Sequence, residues 1–162
     1  MTTAMTISLT LDILLTIILC TVVSLHDKES PLLGTDLESK ASVLYLQSWA
    51  TTGLLDDATH IIKALLGRVP YNKKVVDTAN KNIDVHVAFL EKRLSEYTYL
   101  VGERLTLADL FVASCFYRLF TMTFGKEWRA QHPVFMRWIN TIYKTEYLAY
   151  FFDEVKFVDE PV

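Results

Sequence analysis

The sequence predicts an all-α fold, a bundle of helices gathered round one buried central helix, and three observations predict it. Apolar residues recur at three- and four-residue spacing through the long segments, as in helices that turn one face to a core. Helix-start chemistry precedes those segments: Thr35 and Thr106 stand three residues before Glu38 and Asp109, and Asn72 precedes a third run. The segment after Thr106 is apolar on nearly every side, as a helix enclosed by others must be. With 162 residues, 51% hydrophobic and 12% aromatic, the chain can build one core and one domain.

In chain order, Met5 to Leu25 is a long apolar run. It lacks Lys or Arg before Lys28 and carries Asp12, so it reads as a helix buried against protein more readily than as a membrane span or signal peptide. A loop with Pro31 and Gly34 follows, and Thr35-x-x-Glu38 has capping-box spacing for a long helix running toward Leu66, with Gly67 as its stop. Ala41, Leu44, Tyr45, Ser48, Trp49 and Thr52 share one face of it, and Thr51-Thr52-Gly53 predicts a kink. Gln47, Tyr45 and Trp49 either line a ligand cleft or pack as core.

Asn72 caps the next helix, to about Tyr97, whose stripe is Val76, Ala79, Ile83, Val87, Leu90, Leu94 and Tyr97. His86 lies at the edge of that stripe with no second ligand at metal spacing, and reads as a satisfied structural histidine. At the central helix, Thr106 and Asp109 form a capping box while Leu105 and Leu110 are placed as a hydrophobic staple. KEWRAQ reads as an irregular turn after Gly125. Pro133 suits the first turn of a helix to Tyr143, and a last short helix is expected from Thr145 through Leu148 to Phe152. The charged tail, DEVKFVDEPV, is expected on the surface.

A net charge of -3 and a pI near 5.8, without clustered Lys and Arg, exclude a nucleic-acid surface. Cys20 and Cys115 fall in apolar runs and read as buried free thiols in a reducing, cytoplasmic setting. There is no nucleophile elbow, phosphate loop or zinc spacing, so neither metal nor catalytic residues can be assigned. Asp56 and Asp57, about 100° apart round a helix, read as a solvated edge. Arg118 sits in the apolar central helix, where a guanidinium needs either a carboxylate partner or a bound anion.

The run YLVGERLTLADLFVAS, followed by FGKEWRAQHPVFMRWINT, resembles the helical C-terminal domain of the glutathione S-transferase superfamily, in the version carried by the gamma subunit of translation elongation factor 1B. The resemblance covers roughly residues 32 to 162, and it implies that residues 1–31 are an apolar helix and loop left from a thioredoxin-like half. That half would supply the family's catalytic Tyr, Ser or Cys, which has no counterpart here. It implies glutathione as cosubstrate, with Asp12 and Arg118 as its contacts and Tyr45, Trp49 and Tyr117 facing a small apolar substrate. At the family's acidic-then-Ser/Thr pair this chain has Leu11 and Asp12.

The resemblance extends to fungal secondary-metabolite enzymes, including the glutathione S-transferase of pseurotin biosynthesis. On that reading the thiol of glutathione adds to an electron-poor alkene, giving conjugation or isomerisation. The alternative is a non-catalytic module that binds translation factor subunits, and a third is a degenerate paralogue with neither role. The apolar surface freed of a thioredoxin-like half predicts a homodimer with Tyr and Trp at its centre.

Overall fold

The computed structural model describes residues 23, 25–28, 30–146 and 156–161. Among the described residues there is no strand, only an isolated bridge between Tyr99 and Gly102. A 3-10 turn, Pro31–Leu33, precedes six α-helices. They are α1 (Leu37–Trp49), α2 (Leu55–Leu65), α3 (Lys73–Glu96), α4 (Leu107–Phe120), α5 (Lys126–Gln131) and α6 (Pro133–Tyr143). The long first helix is one rod with an interruption: Ala50–Leu54 is a turn of π-helix in which the amide of Leu55 reaches back to the carbonyl of Ala50. Thr51 and Thr52 promote it, their hydroxyls donating to the carbonyls of Gln47 at 2.5 Å and Ser48 at 2.9 Å, at the expense of the regular ladder. The kink read from Thr51-Thr52-Gly53 is this turn.

Helix α4 is the axis. Leu107, Val112, Phe116, Leu119 and Phe120 are buried on it, and α1, α2 and α6 pack against it. Leu105 and Leu110 are half-buried against the same core. Phe120 meets Phe124, Tyr143 and Phe157 edge-on, so the C-terminal part of the core is largely aromatic. Helix α3 buries Val76, Ala79, Ile83, Val87, Leu90 and Leu94, as its periodicity requires, whereas Tyr97 ends the stripe exposed.

The Asp109 carboxylate, fully buried, holds these pieces together. Its Oδ2 accepts from the Thr106 amide and hydroxyl, each at 2.9 Å. Its Oδ1 accepts from the Leu100 amide at 2.8 Å and from the Trp138 indole on α6 at 2.9 Å. Burial holds the Asp109 carboxyl above its ordinary range, and the four donors offset that only in part.

Four local expectations are corrected. The cap of α1 is not Thr35 with Glu38 but Asp36 with Ser39: the Asp36 carboxylate accepts from the Ser39 amide at 2.8 Å, and Ser39 Oγ accepts from the Asp36 amide at 3.1 Å. Thr35 only donates toward the Asp36 carboxylate. The buried face of α1 is Val43, Leu46, Gln47 and then Ala50, so the stripe through Ala41, Leu44, Tyr45 and Ser48 points outward. Both stripes hold apolar side chains, and periodicity alone does not choose between them.

KEWRAQ is a helix, α5, rather than an irregular turn. The chain's own tail holds its start, because the Lys126 amide donates to the Asp159 carbonyl at 2.8 Å. Arg118 is exposed near the end of α4, where its charge complements the helix dipole, and it is not enclosed as its apolar neighbours suggested. Residues 5–22 of the apolar run, with Asp12 and Cys20 among them, lie outside the described residues, and so does the helix expected from Thr145 through Phe152 apart from its first two residues.

The tail at residues 156–161 is strapped down. Arg129 donates to the carbonyls of Phe124, at 2.6 Å, and Val158, and its guanidinium lies over the Phe157 ring. A Cβ on Gly125 would come within 2.8 Å of the Asp159 carbonyl oxygen, closer than packed atoms approach.

Two outcomes are expected. Replacing Asp109 by Ala leaves four core donors unanswered and lowers stability in urea titrations by about 3 kcal/mol or more; Asp109→Asn, nearly isosteric, is also destabilising, because its NH2 would face donors. Gly125→Ala forces the strap off α5 and is read as faster tryptic cleavage after the exposed Lys156, with the core transition little changed.

Candidate functional site

A tightly held polar group stands where the π turn meets α3. His86 Nε2 lies 3.2 Å from Asp57 Oδ2, and the other oxygen of Asp57 accepts from the Asn82 amide at 3.0 Å. The side chains of His86 and Asp57 are only 16% and 17% exposed. Trp49 closes the other side: its ring meets His86 edge-on at 5.2 Å and Phe89 at 4.9 Å. Gly53 lets the helix come close to the ring, since a Cβ there would lie 3.1 Å from His86 Cε1 and His86 would have to give by a few tenths of an ångström. Thr52, Val85 and Asp56 join Gly53, Asp57, Asn82 and His86 round a cavity of about 360 Å³. The reading of His86 as satisfied fits its Asp57 contact, but Asp57 is not a solvated edge as Asp56 is.

A second cavity, about 380 Å³, opens where α1 begins, between its first turn and the loop after α3. Asp36, Ser39, Arg93, Tyr97 and Arg104 face it. Hydrogen bonds from the Ser39 amide and hydroxyl hold the Asp36 carboxyl below its usual range. Arg93 is committed to the Leu100 carbonyl and lies beside the Tyr97 ring. No group of three or more potential metal ligands is found among the described residues.

The side chains assigned from sequence to glutathione and substrate are dispersed. Trp49 turns to α3; Tyr45 is 57% exposed on the outer face of α1. Tyr117 is half-buried on α4 near the Tyr143 hydroxyl, and Arg118 points outward. None of the four lines either cavity. Thr106 and Asp109 are buried and serve the core. The Tyr143 hydroxyl, pushed up chiefly by burial, donates to the Ala113 carbonyl at 2.9 Å and is likewise structural. Sequence reasoning missed Asp57 and Asn82 as partners of His86; the only signal was that Asp57 stands three residues after Leu54 and four before Ile61, both buried.

Cys115 is the one thiol in the described residues. It is buried, donates weakly to the Phe111 carbonyl at 3.4 Å, and burial pushes it up to about 12, so it is not a nucleophile near neutral pH.

Residues 54–146, which include the whole of α2 to α6, match the family described as glutathione S-transferase, C-terminal domain. The chain belongs to that family. Within it, the chain is 43% identical over 136 residues to elongation factor 1-gamma 1 of Saccharomyces cerevisiae, covering 83% of this chain and 33% of the relative. It is 30% identical over 136 residues to glutathione S-transferase psoE of Aspergillus fumigatus, covering 84% of this chain and 57% of that one. Its fold superposes on the crystal structure of the GST-like domain of elongation factor 1-gamma from S. cerevisiae with a TM-score of 0.77 and 40% identity, over 83% of this chain and 63% of that chain. This glutathione S-transferase C-terminal domain thus spans about a third of the elongation factor relative and under two thirds of the other two. No helix among the described residues is long and apolar enough to cross a membrane.

The buried thiol gives an expected pH dependence. In the unfolded chain Cys115 ionises near its ordinary 9.0, whereas in the folded chain it keeps its proton to about 12. Between those values the unfolded state binds fewer protons, so stability falls as pH rises, by at most about 1.4 kcal/mol per pH unit. Urea midpoints from pH 8 to 11 should fall less steeply in Cys115→Ala than in the wild type.

Proposed function

We propose that this chain is a helical protein-interaction module whose partners are translation factor subunits, as the name of its 43% identical relative suggests. The observation that carries this reading is the outer stripe of α1. Leu37, Leu44 and Tyr45 are 85%, 49% and 57% exposed, and Val85 of α3 continues the apolar surface past Thr52 and Gly53. Apolar side chains held outward on a rigid helix favour association over catalysis. The same stripe supports a homodimer, with Tyr45 central and Trp49 at the edge, and residues 1–31 belong on this reading to a separate N-terminal element.

A second reading is a glutathione-dependent enzyme acting on an apolar electrophile, favoured by the 30% identity to glutathione S-transferase psoE. Glutathione would bring its own thiol, so the inertness of Cys115 does not count against it. Asp12 and Arg118 would contact glutathione, and Tyr45, Trp49 and Tyr117 the substrate, in conjugation or in olefin isomerisation during secondary-metabolite biosynthesis. A cytoplasmic setting, where glutathione is abundant, suits either reading.

Affinity capture of purified translation factor subunits by the wild type, lost in Leu44→Glu/Tyr45→Glu, is the outcome expected of the module. Because both positions are exposed, the variant should retain its unfolding midpoint within about 0.5 kcal/mol. Sedimentation of the two proteins should separate dimer from monomer. Calorimetry with millimolar glutathione should give no heat of binding; saturable binding, with thiol-dependent turnover of an electron-poor alkene, would overturn the module in favour of the enzyme.

A further inference from the structure

Helices α2 and α3 pack together, and the turn that joins them is used by neither reading above. Every residue from Leu66 to Val75 is exposed. The turn is nonetheless fixed. Gly67 has φ +66, the Arg68 amide donates to the Lys63 carbonyl at 2.9 Å, and Asn72 Oδ1 accepts from the Lys74 amide at 3.1 Å. It is a rigid, convex tip.

Its composition sets it apart from the rest of the surface. Leu66, Val69, Tyr71 and Val75 all stand exposed, Tyr71 at 61%. Single apolar residues on a surface are ordinary, but four within one turn form a patch. No Asp or Glu stands between Asp57 and Asp77, while Lys63, Arg68, Lys73 and Lys74 fall within that span, in a chain whose net charge is -3. Lys73 is paired with Asp77 at 2.6 Å; the other three cations have no ion pair among the described residues. Asp56 and Asp57 border a cavity of about 290 Å³ with Lys74 and Val75, but they lie about 13 Å below Leu66 along α2.

Outward apolar side chains set among unpaired cations fit a surface that is negative outside and apolar beneath. An anionic bilayer has that order. Its headgroups would meet the cations while Leu66, Val69 and Tyr71 reach the boundary of the acyl chains, with the Tyr71 hydroxyl left at the wet level. A nucleic acid would use the charges alone: four are few for a phosphate groove, and branched aliphatic side chains give a base nothing to stack on. A folded acidic partner would gain little area from so short a tip, since a stable interface takes about twenty to thirty residues a side. We propose that the α2–α3 turn is a peripheral docking tip for an anionic bilayer, inserted to the depth of its apolar side chains and held by Lys63, Arg68 and Lys74. It stands about 30 Å from Tyr45 along the rod of α1 and α2, so it and the outer stripe can be occupied together.

The test is cosedimentation of the purified full chain with vesicles of phosphatidylcholine, alone or with about a quarter phosphatidylserine. Binding should be saturable, confined to the anionic vesicles, and at least about tenfold weaker in about 0.5 M salt than in about 0.1 M. Lys63→Gln/Arg68→Gln/Lys74→Gln and Val69→Ser/Tyr71→Ser should each weaken it at least about tenfold, the first by removing charge and the second by removing depth. All five positions are exposed, and unchanged urea midpoints check the fold of both variants. Leu44→Glu/Tyr45→Glu, on the outer stripe, should bind vesicles like the wild type, which separates this proposal from capture of translation factor subunits. Equal binding to both kinds of vesicle, binding unchanged in either tip variant, or no saturable binding would overturn the proposal. Saturable binding of poly-glutamate or polyuridylate, with none to the anionic vesicles, would give the tip to an acidic protein or to RNA and likewise overturn it.

Discussion

A carboxylate taken out of water must be answered by donors, and in this domain the answer comes from three separate stretches of chain. The four donors to Asp109 are the amide and hydroxyl of Thr106 at the start of α4, the Leu100 amide in the preceding loop, and the Trp138 indole on α6. Each of those groups is itself hidden, so none could turn to solvent if the carboxylate moved. The position of the loop, the direction of α4 and the docking of α6 are therefore one decision. The aromatic cluster round Phe116 and Phe120 fills the space this decision leaves, and α1 to α3 close over it.

What was legible in the sequence was what depends on near neighbours. The Thr106 and Asp109 pair, the Asn72 cap, Pro133 at the head of α6 and the stop at Gly67 all act within a turn or two. Gly67 has φ +66, and the Arg68 amide reaches back to the Lys63 carbonyl, so the reversal is a local matter. Partners far along the chain were not legible. Trp138 meets Asp109 across 29 residues, and His86 meets Asp57 across 29. Helix α5 escaped because its first amide is held by Asp159, which no window centred on KEWRAQ contains. The outward turn of α1 escaped because Leu44 and Tyr45 are as apolar as Val43 and Leu46.

The same distinction separates family from function. The pattern that identifies a glutathione S-transferase C-terminal domain is a folding pattern, written in caps and core, and it is shared by elongation factor 1-gamma and by fungal glutathione S-transferases alike. Differences of role are carried by what stands outside the core. Here that is an apolar outer stripe on α1 and a His–Asp pair beside the π turn.

The π turn at Ala50–Leu54 also sets how the rod tolerates change in length. One residue more than a regular helix needs has been absorbed there, so the faces of α1 and α2 stay in phase across it. Removing a single residue from this stretch would close the regular ladder and keep Asp57 beside His86 and the Ala58 and Ile61 stripe on the core, whereas one further residue, with no second bulge to take it up, would turn α2 by about 100°. The irregularity is thus a slack turn, which frees the rod to lose a residue but not to gain one.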